Sequence, residues 1–150
     1  MTDIQGALGS AQMDRATEIV AERQRLAGVY DQAFADLDWL RTPACPEGYQ
    51  HGYQSYPCMF RPDDLSLSNL KAVNLARNVW MEALQQVGIS TRPATHAVHM
   101  LSYYKNKYDI RPTDFPNAYM SNDCSISLPL FHGMSEAEQT YVIDCVVNSF

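Results

Sequence analysis

Positive charge is scarce: the sequence has only three lysines, Lys71, Lys105 and Lys107, and 11 basic residues against 17 acidic ones, a net charge of −6. This argues against a polyanion as partner, because nucleic-acid binding needs Lys and Arg gathered to displace counterions. The densest basic stretch, Lys105, Lys107 and Arg111, is interrupted by Asp109 and reads as a solvated face. No apolar run approaches the roughly 18 residues of a membrane span. The N-terminus also lacks the basic, apolar, small-residue order of a secretory signal, so a cytoplasmic protein is expected. Four cysteines, Cys45, Cys58, Cys124 and Cys145, include no C-x-x-C pair, which argues for free thiols over a zinc or redox site. His96 and His99 form an H-x-x-H, but Pro93 upstream and the lack of a nearby third ligand argue against a metal. Ser55 has no His–Asp constellation around it, and no catalytic residue stands out.

What is present is a globular composition, with 46% hydrophobic and 19% charged residues in a 150-residue chain. A chain of this length buries roughly 68–70% of its unfolded surface as one domain. Ile4, Leu8, Ala11, Ile19, Leu26, Tyr30, Phe34 and Leu37 follow three-and-four spacing, so residues 1–40 read as a long connecting helix, with Thr2 and Gln5 as a capping box. A single helix of about 35 residues would be roughly 50 Å long, so it either breaks, near Met13-Asp14, or projects. Residues 53–60 read as a strand that Pro57 confines to an edge, bulge or strand end. Leu70, Val73, Ala76, Trp80, Leu84 and Val87 predict a helix over about 68–87, ended by Gly88 in a left-handed cap. Residues 89–98 read as extended, 101–108 as a short helical turn and 124–128 as a strand stopped by Pro129. Ser135 and Glu138 open a last helix through Val146. The fold class is α+β: a small, mostly antiparallel sheet with helices packed on one face, preceded by the long N-terminal helix.

Four separated segments resemble the pyridoxal-phosphate-dependent sugar aminotransferases of the DegT/StrS family, which have the fold type I architecture. Residues 1–13, MTDIQGALGSAQM, are close to the family's M-T-D-I-Q-A-A-L-G-x-A-Q-L stretch. Arg23 to Phe34 is similar to the arginine-rich helix that follows. Gly88-Ile89-Ser90-Thr91-Arg92-Pro93, running on to His99 and Tyr103-Tyr104, resembles the family's G-I-x-T loop, histidine and paired aromatics. Ser127 to Ser135, SLPLFHGMS, resembles its S-L-P-L-F-P-G-M-T turn, with His132 in place of the proline.

The resemblance implies the small C-terminal domain of such an enzyme. The large domain, with the lysine that binds the cofactor, its acidic partner and most of the phosphate cup, has no counterpart in these residues. In the full enzymes an amino group passes, through pyridoxal phosphate, from an amino acid such as glutamate to a nucleotide-linked keto sugar. By resemblance His99 lies near the sugar substrate and Arg92 can clamp a carboxylate or phosphate. The opposed readings are a histidine bonded to backbone and an arginine in a surface ion pair. None of the three lysines follows the family's serine-to-lysine motif, so no cofactor is expected on this chain alone and no transamination by it. Tyr53, Tyr56, Tyr103, Tyr104 and Tyr108 read as packing aromatics rather than a sugar platform. An alternative is a self-associating binding or assembly protein, a homo-oligomer formed through the N-terminal helix, whose apolar stripe needs cover. A complete small enzyme built on His99 and a carboxylate is a third reading.

Overall fold

Thr2 caps the first helix as its spacing requires: its hydroxyl accepts from the Gln5 amide, and the Gln5 side chain accepts from the Thr2 amide. In the computed structural model, which describes residues 1–150, this helix, α1, spans Asp3–Met13. It ends at Asp14-Arg15, and α2 runs Ala16–Ala33. Of the two outcomes left open for the expected 1–40 helix, the break near Met13-Asp14 is the one found, and the helical run ends at Ala33, earlier than expected. No residue of α1 is buried, whereas α2 buries Leu26, Ala27 and Tyr30. The joint is held from outside: the Arg15 guanidinium bonds the Glu18 carboxylate and lies 3.3 Å from the His132 imidazole.

Three strands form one antiparallel sheet in the order β1 (Leu40–Arg41), β2 (Tyr56–Phe60), β3 (Ser125–Leu128). Alternation along β2 buries Tyr56, Cys58 and Phe60 and leaves Pro57 and Met59 half-buried. Pro57 sits in the central strand, yet β1 reaches only Met59 and Phe60, so one side of β2 is unpaired at the proline. The segment 89–98 is not a strand. Only Arg92 bridges to Ser127, because Pro93 ends the ladder at once.

The helix α3 (Leu70–Gln86) buries Leu70, Val73, Trp80 and Leu84 of the stripe read from the sequence, leaves Ala76 half-buried and Val87 exposed beyond its end, and buries Arg77, which the sequence reading did not include. Gly88 closes it at φ +81°, where a side chain would be strained, and the Ile89 amide returns to the Leu84 carbonyl. A 3₁₀ turn at Val98–Met100 precedes α4 (Ser102–Tyr108), and a second one at Pro112–Asp114 precedes α5 (Pro116–Cys124). The last helix, α6 (Glu136–Val147), carries the Ser135–Glu138 capping box.

A core of 21 buried side chains joins α2, α3 and α6 to the sheet. Tyr30 stacks on Phe34 and meets Tyr56 at 5.0 Å between ring centroids, and Phe60 stacks on Trp80 at 5.5 Å. Polar clamps fix the layers: Tyr30 donates to the Pro129 carbonyl at 2.8 Å, Gln139 to the Leu26 carbonyl at 2.7 Å and Arg77 to the Ser125 carbonyl at 2.8 Å. All four cysteines are free thiols, and no helix is long and apolar enough to cross a membrane.

Candidate functional site

Arg92 lies where the isolated bridge meets β3, with its amide donating to the Ser127 carbonyl and its carbonyl accepting from the Ser127 amide at 2.7 Å. That pairing stations its exposed side chain at the mouth of a cleft of about 570 Å³ lined by Gln54, Ser55, Ser90 and Ser127, with Leu130 and Phe131 at its apolar end. The chain's arginine ion pairs use Arg15, Arg25, Arg41 and Arg111, so the Arg92 guanidinium faces no carboxylate of its own. An unpaired fork of donors beside hydroxyls and an amide suits a carboxylate, a phosphate or sugar hydroxyls. The loop supplying Ser55 is anchored by Arg23, whose Nη1 donates to the Tyr53 and Gln54 carbonyls at 2.8 and 2.9 Å.

His99 stands in a different hollow. It is 9% exposed; its Nε2 lies 3.1 Å from the Pro112 carbonyl and its ring 5.1 Å from that of Phe115. Since a carbonyl can only accept, Nε2 carries the proton and Nδ1 is left as the acceptor. The 111–114 turn beneath it is locked by Asp114, whose carboxylate accepts from the Arg111 amide and guanidinium. Those bonds hold the Asp114 carboxyl below its ordinary value. The histidine is thus tied to backbone, and the groove beside it, about 470 Å³, is lined by Ala97, Val98, Tyr104, Tyr108, Ile110 and Phe115. Arg92 and His99 share no cavity, although each borders one.

The tyrosines divide. Tyr53 and Tyr56 are core, with the Tyr56 hydroxyl donating to Asp31 at 2.6 Å. Tyr103, Tyr104 and Tyr108 are exposed on α4, where Lys107 lies over the rings of Tyr103 and Tyr108. Tyr53 and Tyr56 are thus core aromatics, while Tyr103, Tyr104 and Tyr108 pack on one another at the surface of α4. Ser127, Ser90 and Gln54 join the Arg92 cleft without having been singled out in the sequence. The strand alternation of Cys124–Leu128 was the signal for Ser127, since it sets that residue opposite Ile126 and Leu128. No group of three His, Cys, Asp or Glu side chains is placed to hold a metal.

A model of the DegT/DnrJ/EryC1/StrS aminotransferase family matches residues 1–147. The chain belongs to that family. Spore coat polysaccharide biosynthesis protein SpsC of Bacillus subtilis is 30% identical over 147 residues, which are 97% of this chain and 36% of that protein. Among solved structures, a protein of Streptococcus pneumoniae named as a sugar aminotransferase, Spr1654, superposes in its apo form with a TM-score of 0.80. It is 27% identical, and the match covers 97% of this chain and 34% of that one. The same protein has been solved in PLP and PMP forms. An aminotransferase from Psychrobacter cryohalolentis, 19% identical, shares the fold with a TM-score of 0.82 over 100% of this chain and 39% of its own. The chain thus spans about a third of the length of its relatives, the size of a small domain of those enzymes.

The family's cofactor can be set against the residues present. Lys71, Lys105 and Lys107 are all exposed, and Lys107 donates to the Tyr103 hydroxyl at 3.0 Å. A lysine that captures a carbonyl has to be poised in a desolvated or cationic site, and none of the three is so placed. These residues do not fit covalent attachment of pyridoxal phosphate.

Proposed function

We propose that this chain is the small C-terminal domain of a pyridoxal-phosphate-dependent sugar aminotransferase, presenting Arg92 and its serine-lined cleft to a nucleotide-linked sugar, and that it does not transaminate alone. The observation that carries the reading is the family match over residues 1–147. In the full enzymes the amino group moves from an amino acid to a keto sugar, and the cofactor supplies the electron sink. Arg92 contributes two parallel donors to an anionic group, and Ser55, Ser90 and Ser127 contribute hydroxyls for its remaining oxygens. His99, held through Nε2, offers Nδ1 as an acceptor for a sugar hydroxyl. The three exposed lysines support inactivity in isolation.

The test has two arms. Incubation with pyridoxal phosphate and borohydride is expected to give no stoichiometric lysine adduct and, without borohydride, no amino transfer; a specific adduct with turnover overturns the claim of inactivity. Titration with uridine diphosphate, followed by amide NMR, is expected to shift resonances around Arg92, Ser90 and Ser127, and Arg92→Ala is expected to remove the shifts. Shifts unaffected by Arg92→Ala would remove the residue from the site.

A second reading is favoured by α1, which exposes Ile4 and Leu8 one turn apart on the same face. A stripe of this kind is covered when helices pair, so self-association through α1, with or without exchange of the helix between copies, is the proposed oligomeric route. Light scattering is expected to show a mass above 16.9 kDa that Ile4→Asp/Leu8→Asp reduces. A stable monomer at high concentration contradicts it.

A further inference from the structure

The helix α3 carries two apolar stripes, and only one of them faces the core. Beside the stripe of Leu70, Val73, Trp80 and Leu84, the residues Ala72, Leu75, Val79 and Ala83 recur at helical spacing on the outside, and half-buried Ala76 lies between the two stripes against the core. Leu75 is 64% and Val79 58% exposed. With Trp80 and Phe150 along one side they form a continuous groove of about 480 Å³ whose lining is apolar except for Ser149. A helix of 17 residues needs one apolar stripe to be stable in a fold; a second one is uncovered surface.

Charge marks what fits there. Lys71 and Glu82 lie eleven residues, or three turns and about 16 Å, apart on the same edge of the outer stripe. Both are exposed, and neither takes part in an ion pair within the chain. When two α3 helices pack antiparallel about a two-fold axis at the level of Arg77, Leu75 of each copy falls opposite Val79 of the other. The same operation brings Lys71 level with the other copy's Glu82, within about one residue's rise, and it keeps both on the same side of the seam. Two ion pairs then flank an apolar centre, while the alanines at 72 and 83 allow close approach of the backbones. A parallel two-fold arrangement leaves each Lys71 about 16 Å along the axis from either Glu82 and puts the two copies' charges on opposite sides of the seam, so no such pair forms.

We infer that the outer face of α3 is a self-recognition surface, on which a second copy of this chain docks its own α3 antiparallel through Leu75 and Val79, with reciprocal Lys71–Glu82 pairs. A contact built on one helix belongs to the small interfaces, under about 1,200 Å² in total, so the association is reversible and concentration dependent. It is separate from α1 and does not rest on the reading of the Arg92 cleft.

Sedimentation equilibrium of the full chain, wild type and with Ile4→Asp/Leu8→Asp so that α1 does not mask the contact, tests it. Larger assemblies are expected in the wild type, where α1 adds a second contact, and a monomer–dimer equilibrium in the α1 variant. Leu75→Glu weakens it by about tenfold or more, since it buries two carboxylates in the seam. Lys71→Glu and Glu82→Lys alone each weaken it about three- to tenfold, and the double reversal Lys71→Glu/Glu82→Lys returns it to within about twofold of the parent. Circular dichroism melting confirms that each exposed substitution leaves the fold intact. A monomer at every concentration in the α1 variant overturns the inference, as does a dimer indifferent to Leu75→Glu or a double reversal that fails to recover.

Discussion

Arg77 ties α3 to the sheet through a buried hydrogen bond. It is 4% exposed, its Nη1 is spent on the Ser125 carbonyl, and its Nε has no partner. Burial pulls its pKa downward, an effect that neighbouring Cys124 and Asp123 partly offset. Replacing it by Ala leaves the Ser125 carbonyl unmatched and a void beneath α3, which is expected to lower unfolding free energy in urea by about 2–3 kcal/mol. Thiol reactivity divides along the same lines. Burial pushes the Cys124 thiol up to about 11, raises that of Cys58 further, and keeps reagents away from both. Alkylation followed by peptide mapping is therefore expected to label exposed Cys45 in the native protein, and Cys58 and Cys124 only after denaturation. The sequence offered Arg92 and His99 as candidates, but not the fact that they border separate hollows. That separation comes from the 111–114 turn, which captures His99 from thirteen residues away and leaves no local pattern.

Two helices carry the same cap and differ in what the cap does. Ser135→Ala is expected to lower the melting stability of the whole chain by about 1 kcal/mol, because α6 is anchored through Gln139, Val142 and Val146. Thr2→Ala removes equivalent bonds from α1, which buries nothing, so it is expected to leave global melting unchanged and only to speed amide exchange in α1. The caps also set an acid limit. Glu138 is held below its ordinary 4.5 by the Ser135 hydroxyl and amide, and Asp114 below its ordinary 3.8 by Arg111. With folded pKa values depressed, the unfolded chain binds more protons near pH 4, so this stability is complete above that range and lost as pH falls through the folded values. Melting temperature followed from pH 6 to pH 3 is expected to begin falling below about pH 4.5, less steeply in Ser135→Ala. Both capping boxes, α3 with its Gly88 stop, β2 and β3 were legible because periodicity and caps are local signals. Neither α5 nor β1 was. In α5 only Cys124 is buried, and the helix is held by Pro116 at its start and by Asn74 of α3 donating to the Asp123 carbonyl, while β1 is two residues long.

Across the whole molecule, stability and recognition sit on different parts of the chain. The 21-residue core excludes α1 and the outer face of α3, the two surfaces with the most exposed aliphatic groups. In a dilute, monomeric sample hydrogen exchange is expected to report this split, with α1 amides exchanging at rates near those of an isolated helix while α2, α3 and β2 open only on global unfolding. An α1 as well protected as α3 in a monomeric sample would show that it docks on the core. The clamps from Tyr30 to Pro129 and from Gln139 to Leu26 span 99 and 113 residues. During synthesis these partners leave the ribosome far apart in time: at 5–20 residues per second, about 5–20 seconds separate Phe34 from Gln139. For that interval Leu26, Tyr30 and Phe34 of the nascent chain have no C-terminal strand or helix to close over them, which makes the early α2 segment a natural client for chaperones that hold exposed apolar helices.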